Sequence, residues 1–431
     1  MPLLTNVRRR RVAPPQRDTR KRTEILILCQ LFYPELVSTG QTLTELAEQL
    51  EASGVDVEVV CGPPTVLGRG ERVPRRMEHK GIRIRRVWGT RFSKRNLLGR
   101  VTNELTFTLS VLVHLLLHRP RRPILVLTNP PFLAVICGVL RALRAGPPYL
   151  HLIFDVYPDT AVRLGLLKET GLLTRTWDRL NLFVYEHAAG VIVIGRCMKN
   201  VISEKIHRAG NLVNGKLHHI HVWCDDQAIA SRSSSANGLV ERFDVEGKFV
   251  VGYFGNMGRF HDIETIMGAA EILKAHPDIV FLFVGEGHKK KWAMDRAQQN
   301  GLVNCRFHTY VRREELGSLL ALADVGLVSL SDGQEGLSVP SKTYGLMASG
   351  VPVLAVVPEA SEIARVVEEE HCGIWVRPGD KEKLASSILQ ASFRRHELEP
   401  MAENGRRAIR GKYSLENACR QYVDLIKSIS S

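Results

Sequence analysis

From residue 24 onward the apolar positions follow two alternating periods. Ile25 to Leu28 is an unbroken apolar run closed by the loop that holds Pro34 to Gly40, which predicts a strand buried on both faces. Leu43, Leu46, Ala47 and Leu50 then recur at helical spacing up to Gly54, and Val55, Val57 and Val59 alternate as a second strand. Such a unit sets its first loop at the carboxyl edge of a parallel sheet, where open sheets take ligands. Ile124 to Leu127, Leu150 to Phe154 and Val191 to Ile194 read as further buried strands. The series resumes with Phe249 to Phe254, Ile279 to Val284, Val325 to Leu330 and Val353 to Val356, separated by segments of helical length.

This pattern predicts an α/β chain of two doubly wound domains in tandem. Residues 1–22 carry Arg and Pro without apolar period and are expected to be a disordered basic arm. The first domain is expected over 23–207 and the second over 248–412. Between them, 208–247 changes character, with His218, His219 and His221 near Trp223 and a Ser-rich patch at Ser231 to Ser235, and is read as a linker. Residues 413–431 are expected to form a C-terminal helix that packs back toward the first domain.

A length of 431 residues suits two cores better than one. The balance of 59 Lys+Arg against 45 Asp+Glu favours an anionic partner, but no nucleic-acid motif accompanies the charge, so nucleic acid is not expected. Eight scattered cysteines, none paired at metal spacing, read as buried reduced thiols of a cytoplasmic protein. The three histidines have only Cys224 and Asp225 near them in sequence, so they read as polar linker residues and no metal is expected.

Leu105 to Leu117, broken by Thr106, Thr108, Ser110 and His114, reads as too short to span a bilayer and as a buried or interfacial helix. Arg91, Lys94, Arg95 and Arg100 precede it, and Arg119, Arg121 and Arg122 follow it. These basic flanks, with the Arg8 to Arg22 arm, predict peripheral contact with an anionic membrane surface at the inner face of the plasma membrane.

Two segments carry candidate chemistry. Gly255, Asn256, Met257, Gly258 and Arg259 follow a buried strand, where glycines admit a close ligand and a helix start offers amides to an anion. Glu335 to Gly350 follows another, with Pro340 suited to a first helical turn and Gly350 with Pro352 to a stop. Lys342 near that helix start opposes the helix dipole, a conflict an anionic ligand removes.

With Tyr33, Pro34, Glu35, Thr39 and Gly40, with Asp155, Tyr157, Pro158 and Asp159, and with Gly285, Glu286 and Gly287, these stretches resemble the retaining glycosyltransferases of family four, in particular the bacterial subgroup that builds polysaccharides and O-antigens. The resemblance runs from about residue 24 to 428. It implies a GT-B fold, two Rossmann-like domains facing across a cleft, with a nucleotide-sugar donor held mainly by the second and a carbohydrate or lipid-linked acceptor mainly by the first. It implies that Glu335 contacts the donor sugar and that Asp155 stands at the cleft, the two catalytic candidates. Arg259 and Lys342 are implied at the diphosphate and the Gly40 loop at the phosphates, with Asn256, Gly258, Gly285, Glu286, Ser341 and Thr343 on the donor side. Thr343 stands where the family carries a second Glu. Transfer with retention follows from the same likeness, and the lack of an Asp-x-Asp triplet points to a site without metal or cofactor; a sugar-nucleotide epimerase and a non-catalytic sugar-nucleotide-binding protein are the alternatives on this fold.

Overall fold

The computed structural model describes residues 23–35, 38–64, 73–92, 97–210, 215–225 and 237–430. The basic arm, the Ser231 to Ser235 patch, Lys94 and Arg95 lie outside them.

The first sheet has eight strands: β1 (Glu24–Cys29), β2 (Asp56–Cys61), β3 (Arg76–His79), β4 (Ile82–Arg86), β5 (Ile124–Leu127), β6 (Tyr149–Ile153), β7 (Gly190–Val193) and β8 (Leu217–His219). Their order is β3-β4-β2-β1-β5-β6-β7-β8, parallel except for the β3–β4 pair. Helices α1 (Ser38–Ala52), α2 (Leu97–His118), α3 (Phe132–Ala142), α4 (Asp159–Arg163), α5 (Leu172–His187) and α6 (Arg196–Arg208) connect them. The second sheet runs β11-β10-β9-β12-β13-β14, all parallel. It is made of β9 (Phe249–Phe254), β10 (Ile279–Val284), β11 (Cys305–His308), β12 (Val325–Ser329), β13 (Val353–Val356) and β14 (Gly373–Val376). This is the doubly wound order whose direction of winding reverses between β9 and β12, the place where such sheets bind ligands. The apolar runs of β5, β7, β9, β10, β12 and β13 are buried along their whole length because helices cover both faces.

Two expectations change. Residues 208–247 are not simply a linker, since Leu217–His219 pairs with β7 as the last strand of the first sheet and a helix, Asn237–Phe243, leads into β9. The apolar helix is not limited to Leu105 to Leu117, because Leu97 to Glu104 continue the same backbone hydrogen bonding and make α2 22 residues long. Its stretch Val101–His118 is long and apolar enough to cross a membrane, yet Asn103, Phe107, Thr108, Val111 and Leu115 pack into the first domain. The last helix, Leu415–Ser430, packs on α1, and the chain reaches it through a backbone bridge between Cys224 and Ser414. No disulfide joins the eight cysteines, seven of which are buried.

Candidate active site

Both sheets direct their carboxyl edges toward the junction of the domains. After β9 the chain turns through Gly255 to Phe260 and enters the helix Ile263–Ile272, capped by Asp262. Gly285 and Gly287, at φ of 155° and 148°, lie so close to this turn that a Cβ on Gly285 would sit 1.9 Å from the Gly255 carbonyl oxygen. A side chain at that position would therefore force the two loops apart.

Three amides of the turn are engaged within the protein. Gly255 N–H donates to the Val284 carbonyl at 2.9 Å, Met257 N–H to the Glu286 carbonyl at 2.8 Å, and Gly258 N–H to His261 Nδ1 at 2.8 Å. The glycines shape the turn. Arg259 and Asn256 are exposed on it, and Gly258 is buried beneath. Glu286 is half-exposed and paired with Lys290 Nζ at 2.8 Å, which also donates to the Gly285 and His308 carbonyls.

Lys342 opens the helix Lys342–Ala348 after β12, with Ser341 as its N-cap. Although part of the residue is exposed, its Nζ is buried without a hydrogen-bond partner and lies 3.4 Å from the centroid of the Tyr253 ring. Burial drives the amine well below its ordinary pKa. The Tyr253 face attracts the ammonium, and its hydroxyl donates to the Asn256 carbonyl at 2.9 Å, so one ring holds both the lysine and the turn. Thr343 is set apart from this group. It is fully buried in the first turn of its helix, and its hydroxyl donates to the Pro340 carbonyl at 2.9 Å.

Glu335 lies in the loop between β12 and that helix, with Oε2 buried and unpartnered among protein groups. The loop is gripped from both sides. Ser331 N–H donates to the Phe260 carbonyl at 2.7 Å on the Arg259 side, and Val156 N–H donates to the Leu337 carbonyl at 2.9 Å on the first-domain side. Gly336, at φ 75°, packs so tightly on α6 that a Cβ would meet Val201 at 2.7 Å. Asp155 bridges Ser338 through the backbone, so the first-domain candidate is joined to the loop that carries Glu335. Burial raises the Asp155 carboxyl to about 6, and Asn129 Nδ2 donates to it at 3.5 Å. Gly40, in the first turn of α1, packs on Glu35 at the carboxyl edge of β1.

The linker histidines are also not what their sequence neighbours suggested. His219 and His221 lie beside Glu362, which begins a helix of the second domain, with all ligand atoms within 4.8 Å of one another. Arg196 takes both oxygens of that carboxylate, through its backbone N–H at 2.6 Å and its Nε at 2.9 Å. Glu362 thereby caps α6 from across the cleft, since the cap residue Gly195 has no side chain to do so. Tyr253, His261, Arg196 and Glu362 are not site candidates by motif. An unbroken apolar strand hides Tyr253, and the others acquire partners only when the chain folds.

Two family models match this chain: "Glycosyl transferase 4-like domain" over residues 39–213 and "Glycosyl transferases group 1" over residues 248–392. It is 32% identical over 302 residues to "Probable glycosyltransferase WbjE" of Pseudomonas aeruginosa, covering 69% of this chain and 73% of that protein. It is 25% identical over 423 residues to "Putative colanic acid biosynthesis glycosyl transferase WcaI" of Escherichia coli K12, covering 94% of this chain and all of that one. Among solved structures, Anabaena HepE in complex with UDP and glucose superposes with a TM-score of 0.69 at 17% identity, over 94% of this chain and 100% of that one.

Proposed function

The chain belongs to the group 1 glycosyltransferases, and from that premise we propose that it moves a sugar, with retention of configuration, from a nucleotide-diphosphate donor to a polysaccharide or lipid-linked acceptor. The observation that carries this is Lys342, whose side chain packs on the Gly255 turn and whose buried Nζ has no hydrogen-bond partner among the described residues. In this reading the acceptor oxygen attacks the anomeric carbon on the face from which the diphosphate leaves. The bond from that carbon to the phosphate oxygen breaks, and the acceptor's proton passes to a leaving phosphate oxygen. Lys342 and Arg259 meet the charge that grows on the diphosphate, so the step draws on no metal. Glu335 accepts from hydroxyls of the donor sugar, and Asp155 orients the acceptor hydroxyl. HepE's complex with UDP makes uridine the first donor base to test. Incubating the protein with UDP-sugars, each with and without a lipid-linked acceptor extract, should release UDP only when acceptor is present, with the donor's anomeric configuration kept in the product. Conversion of the donor to another sugar nucleotide without acceptor would overturn the reading.

A proton linkage follows from Lys342. Burial lowers its proton affinity and a bound diphosphate restores it, so donor binding takes up a proton in the window between the free and bound pKa values. UDP affinity should therefore fall as pH rises through that window. Calorimetry in buffers of different ionisation enthalpy reads the proton directly, and proton release on binding would contradict the assignment.

The membrane reading is extended by α2. Leu98, Val101, Leu105, Leu109, Val113 and Leu116 form one exposed row at helical spacing, with exposed Arg91 before it and Arg119 and Arg121 after it. Arg122 does not join this rim, because Glu24 and Glu58 pair with it at 3.8 and 3.5 Å. A helix with one packed face and one apolar face edged by Arg suits the plane of an anionic leaflet, where each basic residue contributes about 1 kcal/mol. Sedimentation with anionic vesicles should show binding that falls with salt and is lost in a Leu105→Ser, Leu109→Ser, Leu116→Ser variant. Equal binding by that variant would remove α2 from the surface.

A further inference from the structure

We propose that His261 is a positioning residue for the donor diphosphate: by accepting the Gly258 amide on Nδ1, it locks the turn that presents Arg259. The inference rests on the donor reading of that turn.

The turn Gly258, Arg259, Phe260, His261 is closed twice by the same pair of residues. His261 N–H donates to the Gly258 carbonyl at 3.3 Å, and Gly258 N–H donates to His261 Nδ1 at 2.8 Å. Arg259 stands exposed at its apex. The far side is tied as well. Lys289 Nζ donates to the His261 carbonyl at 2.8 Å, and Ser331 N–H to the Phe260 carbonyl at 2.7 Å, which links the turn to the Glu335 loop. Gly258 lies between Asn256 and His261, so a Cβ there would meet Asn256 Nδ2 at 2.9 Å and His261 Nδ1 at 3.4 Å.

Accepting through Nδ1 requires the ring to be neutral with its proton on Nε2. The surroundings favour that state: burial first, then the neighbouring Lys342 and Lys289, push the imidazole down to about 3. A histidine that cannot become charged is a poor phosphate partner, but it is a durable acceptor for an amide. Its effect on an anion must pass through the residue it holds. An arginine on a loose turn loses more conformational freedom on binding than one on a closed turn, and preorganisation converts that difference into affinity.

The test is a double-mutant cycle read by titration calorimetry with UDP and with uridine. Asn is the conservative replacement, because its Oδ1 is as many bonds from Cβ as His Nδ1 and accepts the same amide. We expect His261→Ala to weaken UDP about tenfold and uridine less than twofold, at the upper end of what one neutral hydrogen bond contributes. His261→Asn should retain UDP affinity within about threefold, and the Ala variant combined with Arg259→Met should bind no more weakly than Arg259→Met alone, as expected for coupled residues. Additive losses, or an Asn variant as impaired as the Ala variant, would overturn the positioning role. The same holds for an Ala variant that binds UDP like the parent while Arg259→Met does not. If the parent binds no nucleoside diphosphate, or Arg259→Met has no effect, the donor reading of the turn fails, and the positioning role falls with it.

Discussion

Glu335→Gln should cut sugar transfer at least tenfold at saturating donor, about 1.4 kcal/mol in the barrier, while the melting temperature stays within a degree or two of the parent. The loop carrying Glu335 is held by backbone bonds to Phe260 and Val156 and by the Gly336 packing on α6, none of which involves its carboxylate. Removing the charge therefore leaves the loop in place. What changes is the acceptor strength of a buried Oε2 that no protein donor satisfies, and a charged acceptor binds sugar hydroxyls about twice as strongly as a neutral amide. The informative measurement is kcat and KM for donor in parallel. Unchanged kcat would reject the role in transfer, and a variant that melts far below the parent would show that the charge holds the fold.

Lys342→Met should weaken nucleoside diphosphate binding about thirtyfold, near 2 kcal/mol, and leave the nucleoside alone almost unaffected. It should also stabilise the unliganded protein. A buried amine without an acceptor costs free energy, and Met fills similar space without a polar atom to desolvate. Below the lysine's unfolded pKa, near 10.4, the unfolded chain holds a proton that the folded amine, lowered by burial, gives up. Stability therefore falls as pH falls through that window, and Met removes the slope. Thermal melts with and without UDP decide it, with the parent less stable alone and more stable with ligand. A variant less stable than the parent, or one that binds UDP and uridine with equal losses, would place Lys342 among structural residues. A gain in stability at the expense of binding marks a residue kept for function.

The strands that were legible in advance share a physical cause. Ile25 to Leu28, Ile279 to Val284 and Val353 to Val356 are covered on both faces, so burial alone selects apolar residues at every position. Those not read have weaker demands on their side chains. Ile82–Arg86 puts Arg83 and Arg85 on the less covered face but buries Arg86 with Ile82 and Ile84, and Cys305–His308 is an edge strand buried only in part. Leu217–His219 is a three-residue edge strand that nothing local distinguishes from a loop, and its pairing with β7 moved it into the first domain.

The sequence by itself determined the two wound sheets and the loops at their carboxyl edges that carry Arg259 and Lys342, because burial periods and loop positions are properties of nearby residues, while Glu335 and Asp155 were singled out by the family likeness. Tertiary structure decided the state of each group. Lys342 is unpaired because the fold brings Tyr253, an aromatic ring, to its Nζ and no acceptor. Gly258's amide is engaged because His261 turns back to it, and the Thr343 hydroxyl is engaged because it closes on Pro340. Arg196 and Glu362 meet across the domain junction from positions far apart in the chain. A hydrogen bond or an ion pair depends on direction and distance in three dimensions, so residue type records which groups are able to pair, and only folding selects which of them do.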